Sequence, residues 1–164
     1  MRKILTLMTP LALAAPAGAA TPAELAQAKA YVEGIYRAIP GPFDYASVRY
    51  APELKSLIDR DRAYSKATGD IGVSDGVPFC DCQDTAANYR IMSSGVAAHG
   101  AAGAIVTVML RNEKIRRFSV DLILSKGRWL VADVHSPDTP SFLDLLRREV
   151  PGEEAELRRS RGRH

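Results

Sequence analysis

The chain contains two cysteines, Cys80 and Cys82, separated by one aspartate within the polar segment Pro78-Phe79-Cys80-Asp81-Cys82-Gln83-Asp84. Residues i and i+2 of an extended strand lie about 6.6 Å apart, at the upper limit of the Cα separation that a disulfide tolerates. A bridge between them therefore requires a turn, which the preceding glycines and the proline favour. A ring closed over so few residues restricts the unfolded chain only a little. The pattern favours a local structural disulfide between the two cysteines.

Two other chemistries stay open for this pair. Two thiols in a loop can act as a reversible redox couple, which its reduction potential would distinguish from a structural bridge. Two thiolates with Asp81 or Asp84 could instead hold zinc, but a closed tetrahedral site needs a further ligand, which His99 or His135 would have to supply. The spacing does not bring either histidine to the cysteines, and we expect neither a metal nor a cofactor.

Four further residues are candidates for binding a ligand or organising the loop: Gln83, Asp84, Trp129 and Asp133. An aspartate immediately before a strand commonly accepts hydrogen bonds from nearby backbone amides and fixes the loop. The alternative is that Gln83 and Asp84 orient a polar ligand. Strand alternation places Asp133 on the same face as Trp129, where an acid is either bonded at the strand end or held in a pocket with a raised pKa.

The sequence lacks the familiar catalytic patterns, namely a Gly-rich phosphate loop, G-x-S-x-G, H-E-x-x-H and a paired C-x-x-C. Lys and Arg number 22 against 19 Asp and Glu, but six of the basic residues lie within the first three or the last seven positions. The body between them is slightly acidic, which argues against a nucleic-acid surface. A non-catalytic domain is therefore favoured over an enzyme, and nucleic acid is not expected as a partner.

Residues 1–20 have the pattern of a cleaved export signal. Arg2 and Lys3 supply a positive start, and a short apolar stretch and small residues follow. The apolar stretch is too short to span a bilayer. We expect cleavage near Ala19 or Ala20 and a periplasmic or secreted product without a transmembrane anchor.

Hydrophobic periodicity predicts helices first and strands afterwards. Thr21, Pro22 and Glu24 have the pattern of a capped helix start, and the apolar spacing changes to alternation after a loop rich in glycine and aspartate. The expected elements are helices near 21–39, 52–65 and 141–150, an irregular loop over 68–84, and strands near 87–97, 104–111, 114–124 and 128–135.

Connections as short as these require antiparallel neighbours. The sequence thus predicts one α+β domain over residues 21–150, with N-terminal helices packed on a curved antiparallel four-stranded sheet and a short C-terminal helix. Residues 151–164 are rich in charge and poor in large apolar side chains, which predicts a disordered tail.

The last hairpin has a predictable register if Lys126 and Gly127 form a two-residue turn. The expected pairs are Ser125 with Arg128, Leu124 with Trp129, Leu122 with Val131 and Val120 with Asp133. In this register Asp133 shares a face with the apolar residues of the hairpin.

Several motifs follow one another in the order Pro78-Phe79, Gln83-Asp84, strands, Gly127-Arg128-Trp129 and Asp133. This order resembles that of a family of exported bacterial proteins classed as a domain of unknown function. That family lies within the nuclear transport factor 2-like superfamily, which includes ketosteroid isomerase-like proteins. The chain looks like this superfamily in its helices followed by a curved antiparallel sheet, with the last hairpin at residues 125–134. The resemblance covers most of the mature chain. It implies a cone-shaped, cystatin-like fold whose helices cover the concave side of the sheet, a scaffold used by enzymes and by binding modules. The tyrosine-plus-acid constellation of the isomerase members has no counterpart here.

These features favour an exported, non-catalytic domain that binds a small molecule or a periplasmic protein. One form of this hypothesis is an inhibitor-like protein whose loop from Gly69 to Asp84 enters a partner's site. The alternative is a periplasmic enzyme, with thiol-redox chemistry at Cys80 and Cys82 or acid–base chemistry at Asp133. Superfamily members often pair through the outer sheet face, so the resemblance also allows a homodimer through Ser119, Asp121, Ile123, Leu130, Ala132 and Val134.

Overall fold

The computed structural model describes residues 19–39, 44–74, 76–82 and 89–161. The predicted export signal up to residue 18 lies outside the described residues, and so do the candidates Gln83 and Asp84. The elements are α1 Pro22–Ala38, a short 3-10 turn Tyr45–Ser47, α2 Pro52–Thr68, β1 Arg90–His99, β2 Gly103–Arg111, β3 Ile115–Ser125, β4 Arg128–His135 and α3 Phe142–Arg161. The predicted α+β class is confirmed. Within the described part of the chain, the helices lack the length and apolar character needed to cross a bilayer.

Local signals fix where the first two helices begin and end. The Thr21 hydroxyl accepts a hydrogen bond from Glu24 N at 3.2 Å, and the Glu24 carboxylate accepts one from Thr21 N at 2.7 Å, which completes the predicted capping box. α2 ends at Gly69, whose φ of +78° is a conformation that glycine adopts without steric cost.

The four strands form an antiparallel meander in the order β1-β2-β3-β4. Alternation along β2 and β3 buries one face, which includes Val106, Val108, Phe118 and Val120. α1 packs against β1 and β2, while α3 packs against β4 and α2. Large side chains fill the space between helices and sheet in the described part of the chain. The rings of Tyr36 and Phe79, for example, meet edge to face with centroids 6.0 Å apart.

A β-bulge at Ala132 changes the last hairpin from the expected register. The pairs Ser125 with Arg128, Leu124 with Trp129 and Leu122 with Val131 form as predicted, but the next pair is Asp121 with Asp133. The predicted pairing of Val120 with Asp133 is therefore wrong, because Val120 pairs with Val134. An extra residue on one strand inverts the alternation beyond it. Val134 is accordingly buried, which also corrects its expected place on the outer face.

α3 is longer than the sequence predicts. The helix was expected to end at Val150, yet it continues through Pro151 to Arg161. Contacts with α2 accompany the second half. Arg60 donates two hydrogen bonds to Glu154, at 2.6 and 2.8 Å. The expected disordered tail is thus corrected to helix over residues 151–161, and residues 162–164 lie outside the described part.

Candidate functional site

Cys80 and Cys82 lie in a tight turn that closes residues 77–82. Val77 N donates a hydrogen bond to the Cys82 carbonyl at 2.7 Å, and Cys80 N donates one to the Val77 carbonyl at 3.1 Å. The Cα atoms of the two cysteines are 5.2 Å apart and their sulfur atoms are in contact. Asp81 between them has a φ of +48°, in the left-handed region that aspartate tolerates better than most residues. The turn that a disulfide requires is therefore present.

The side chain of Asp81 ties this turn to the sheet. Its carboxylate accepts hydrogen bonds from Arg116 Nη2 at 2.9 Å and from the Ser136 hydroxyl. Arg116 also contacts the Asp138 carboxylate. The Arg116 guanidinium is therefore engaged by carboxylates of the same chain.

An open groove of about 250 Å³ lies between the cysteine turn and the start of α3. Most of its lining is apolar, with Asp81, Asp138 and Thr139 as polar groups. The complete lining is Val73, Gly76, Val77, Pro78, Asp81, Cys82, Asp138, Thr139, Phe142 and Leu145. Its volume lies just below the usual range for small-molecule sites.

A buried aspartate that the sequence analysis missed holds the segment before this groove. Asp61 of α2 is 1% exposed. Its Oδ1 accepts a hydrogen bond from Val73 N at 2.6 Å, and its Oδ2 accepts one from Ser74 N at 3.1 Å and one from the Ser74 hydroxyl. A Cβ at Gly72 would lie 2.6 Å from the Asp61 carboxylate, so glycine permits the close approach.

A sequence signal for Asp61 existed. It follows Leu57 and Ile58 at the four- and three-residue spacing that marks the buried face of α2. An acid at such a position must find donors in the folded protein.

We refer to residues 70–82 as the 70–82 loop; Asp75 within it lies outside the described residues.

Glu153 of α3 places a second carboxyl group beside Asp61. Its Oε2 atom is buried and accepts no hydrogen bond from the described residues. Burial, followed by the adjacent Asp61 carboxylate, raises the pKa of Glu153 to about 7. The sequence analysis missed this residue because it assigned residues 151–164 to a disordered tail.

Asp133 has a structural role at the start of α3. Its Oδ1 accepts hydrogen bonds from Val134 N at 2.7 Å and Leu143 N at 2.8 Å, and its Oδ2 accepts one from the Ser141 hydroxyl at 2.6 Å. Ser141 in turn accepts a hydrogen bond from Asp144 N at 3.0 Å. The carboxylate thus fixes the first turn of α3. This arrangement corresponds to an acid bonded at the strand end and not to an acid held in a pocket.

His135 lies next to Asp133 on the same side of the sheet. Its Nε2 is 3.0 Å from Asp121 and its Nδ1 is 2.5 Å from the Pro140 carbonyl. Burial lowers the pKa of His135, but the Pro140 carbonyl and the Asp121 carboxylate outweigh burial, so the net shift is upward. Among the residues described, no group of three or more His, Cys, Asp or Glu side chains is arranged to hold a metal ion.

Trp129 belongs to the core. It is 3% exposed, and its indole Nε1 donates a hydrogen bond to the Glu24 carbonyl of α1 at 2.9 Å. Its contacts therefore hold α1 on the sheet. The structure does not bring Trp129 and Asp133 together as a ligand site.

Comparisons of the chain with protein-family models, with curated proteins and with solved structures found no match. The resemblance to the nuclear transport factor 2-like superfamily therefore stays a prediction.

Proposed function

We propose that this chain is an exported, non-catalytic domain that recognises a protein partner through the 70–82 loop and the adjoining groove. The observation that carries the proposal is the contrast within this loop. Its backbone is fixed from the interior, while Ile71 at its start is 78% exposed. A fixed loop that presents a large apolar side chain has the properties of a recognition surface.

Three anchors hold the loop in place. Asp61 bonds the backbone of Val73 and Ser74, the side chain of Phe79 is buried in the core, and Asp81 bonds Arg116. A loop held in this way loses little conformational entropy when a partner binds, which raises affinity.

We infer that the contacting sulfur atoms of Cys80 and Cys82 form a disulfide in the exported protein. Disulfides persist in oxidising compartments such as the periplasm. The bridge would keep Asp81 oriented toward Arg116. Export itself is supported by the signal-like residues 1–20 and by the capping box at Thr21, which lets the mature chain begin in a stable helix.

The groove suits a partner side chain. Its lining is mostly apolar and its volume is about 250 Å³, whereas small-molecule sites usually exceed 300 Å³. Ile71 lies two residues before Val73, which lines the groove. The exposed side chain of Ile71 and part of the apolar lining of the groove therefore belong to the same segment. A partner that inserts one apolar side chain beside Ile71 would bury both.

A thiol-redox enzyme is the second candidate, because Cys82 lines the open groove. Its reduction potential would decide: a value near that of the thiol oxidoreductases supports it, and a bridge that resists millimolar dithiothreitol contradicts it. Acid–base chemistry at Asp133 has less support, since both oxygens of its carboxylate accept hydrogen bonds from the chain.

The test uses the mature protein, immobilised and exposed to periplasmic extract. Wild type should retain a partner that the variant Ile71→Asn loses by about tenfold or more, the size of effect expected of an interface hot spot. Ile123→Asn is the matched control, because Ile123 is also exposed but lies at the far end of β3. Retention of the same proteins by wild type and Ile71→Asn would contradict the proposal.

A further inference from the structure

α3 consists of two halves that are attached differently. Phe142, Leu146 and Val150 of the first half are buried in the core. From Pro151 to Arg159 no residue is buried. Pro151 and Gly152 stand at the junction, where the missing amide of proline and the freedom of glycine weaken the helix. The junction is therefore a natural hinge.

Polar contacts with α2 hold the second half. Glu154 accepts hydrogen bonds from Arg60 at 2.6 and 2.8 Å, and Glu156 accepts one from the Tyr64 hydroxyl at 3.2 Å. The third contact is unlike these two. Glu153 meets Asp61, another carboxyl group, and the buried Oε2 of Glu153 accepts no hydrogen bond from the described residues.

The surroundings of Glu153 favour a neutral carboxyl group there. Besides burial, Asp61 of α2 and Glu149 of α3 raise the pKa of Glu153, while the backbone of Val73 in the 70–82 loop lowers it, and Tyr64 of α2 also faces Glu153. The cation Arg60 of α2 is bonded to the neighbouring Glu154. Asp61 already accepts three hydrogen bonds from the loop. A proton on Glu153 removes the repulsion and can be donated to Asp61.

We propose that the segment from Pro151 to Arg161 is a proton-controlled latch, in which a proton shared by Glu153 and Asp61 holds the half-helix on α2 and its loss releases the half-helix about Pro151. The regulatory meaning of the latch rests on the proposed function, because Asp61 also anchors the 70–82 loop. When the latch opens, water reaches Asp61 and competes for the hydrogen bonds from Val73 and Ser74.

The direction of the pH dependence follows from the raised pKa of Glu153, about 7. The closed state holds the proton more tightly than the open state, whose glutamate has its ordinary pKa near 4.5. Closure is therefore favoured at acidic pH and weakens as the pH rises through 7. Partner binding should weaken over the same range.

Hydrogen exchange followed by mass spectrometry tests the latch without any partner. Wild type and Glu153→Gln are compared at pH 8, where their chemical exchange rates are equal, and again at pH 5.5. The amides of residues 152–161 and 72–74 should exchange about tenfold more slowly in Glu153→Gln at pH 8, because glutamine stays neutral and can donate to Asp61. At pH 5.5 the two proteins should agree within about twofold.

Glu154→Gln is the matched control, because it removes the same charge one residue later. It should exchange faster than wild type at both pH values, since it weakens the bond to Arg60. Equal exchange of wild type and Glu153→Gln at pH 8 would overturn the latch, as would equal slowing by Glu154→Gln. If Glu153→Gln does not fold, wild type corrected for chemical exchange must still lose protection in these segments between pH 5.5 and pH 8.

The partner-capture experiment, repeated at pH 6 and pH 8, separates the two proposals. A latch seen by exchange with no partner captured at either pH contradicts the proposed function alone. Capture that depends on Ile71 but not on pH contradicts the regulatory role alone.

Discussion

Asp61 and Asp133 are two buried aspartates with the same hydrogen-bonding pattern and opposite neighbours. Each accepts hydrogen bonds from two backbone amides and one serine hydroxyl. Beside Asp133 stands His135, which can be a cation, and beside Asp61 stands Glu153, which can be an anion. The start of α3 is therefore held beside a potential cation, whereas the hold on its second half depends on a proton shared by two carboxyl groups.

As the pH rises, Glu153 and His135 each contribute less to the stability of the region around them, but over different pH ranges. The raised pKa of Glu153 removes stability between about 4.5 and 7. The raised pKa of His135 leaves its contribution intact below its ordinary value of 6.5, and that contribution disappears only as the pH rises through the folded-state value. The two regions can therefore be separated by titration.

Asp133→Ala should have the largest effect on the free energy of unfolding. It leaves the amide of Leu143 without its acceptor and removes a bond to Ser141, so we expect a loss of about 3 kcal/mol. Urea unfolding at pH 7 measures it. The exposed helix residue Asp59 provides the control, because Asp59→Ala should cost less than about 0.5 kcal/mol. A similar small cost for both variants would show that Asp133 does not anchor α3.

Asp61→Asn should cost about 2 kcal/mol at pH 6, because one amide oxygen cannot replace two carboxylate oxygens for three donors. At pH 8 the cost should fall to about half, since the variant also removes repulsion from ionised Glu153. Urea unfolding at both pH values tests this difference. A cost that grows from pH 6 to pH 8 would contradict the contrast between the two aspartates.

Glu153→Gln should stabilise the protein only at higher pH. After allowance for solvent screening, we expect wild type and variant to agree near pH 5 and the variant to be more stable by about 1 kcal/mol at pH 8. Thermal unfolding across this range measures the difference. An advantage of equal size at pH 5 would mean that glutamine improves packing and that no proton is involved.

His135→Gln should have the smallest effect. The neutral side chain loses the attraction to Asp121 and Asp133, worth about 0.5 kcal/mol at pH 6 for a group this accessible. The difference from wild type should disappear as the pH rises through the raised pKa of the wild-type imidazole, where that side chain also becomes neutral. Chemical shifts of the imidazole protons would give the pKa directly, and a value below 6.5 would refute the assigned direction.

Sequence reasoning succeeded where the signal was local. The capping box of Thr21 and Glu24 spans three residues, and the turn at Lys126 and Gly127 sets the register of the pairs beside it. The need for a turn at Cys80 and Cys82 also followed from their spacing. Such features depend on bonds between residues that are close along the chain.

The errors arose where distant segments compete for the same residue. The bulge at Ala132 turns Asp133 toward Leu143 and Ser141. The hydrogen bonds that Asp133 accepts at the start of α3 therefore accompany a break in the strict alternation of side chains along β4. The charge-rich composition after Val150 predicts a disordered tail, but contacts of Glu154 and Glu156 with α2 accompany the continued helix. The omission of Asp61 is an error of another kind, because its helical spacing already placed it on the buried face of α2.

The amino-acid sequence by itself determined the order of helices and strands, the α+β class, the first helix cap and the turn that brings the two cysteines together. Only the tertiary structure decided that Asp133 anchors a helix, that Glu153 meets Asp61 and that the 70–82 loop is fixed around an exposed isoleucine. The physical reason is that periodicity and turn chemistry act over a few residues, whereas the environment of a buried charge is set by groups up to about a hundred residues away.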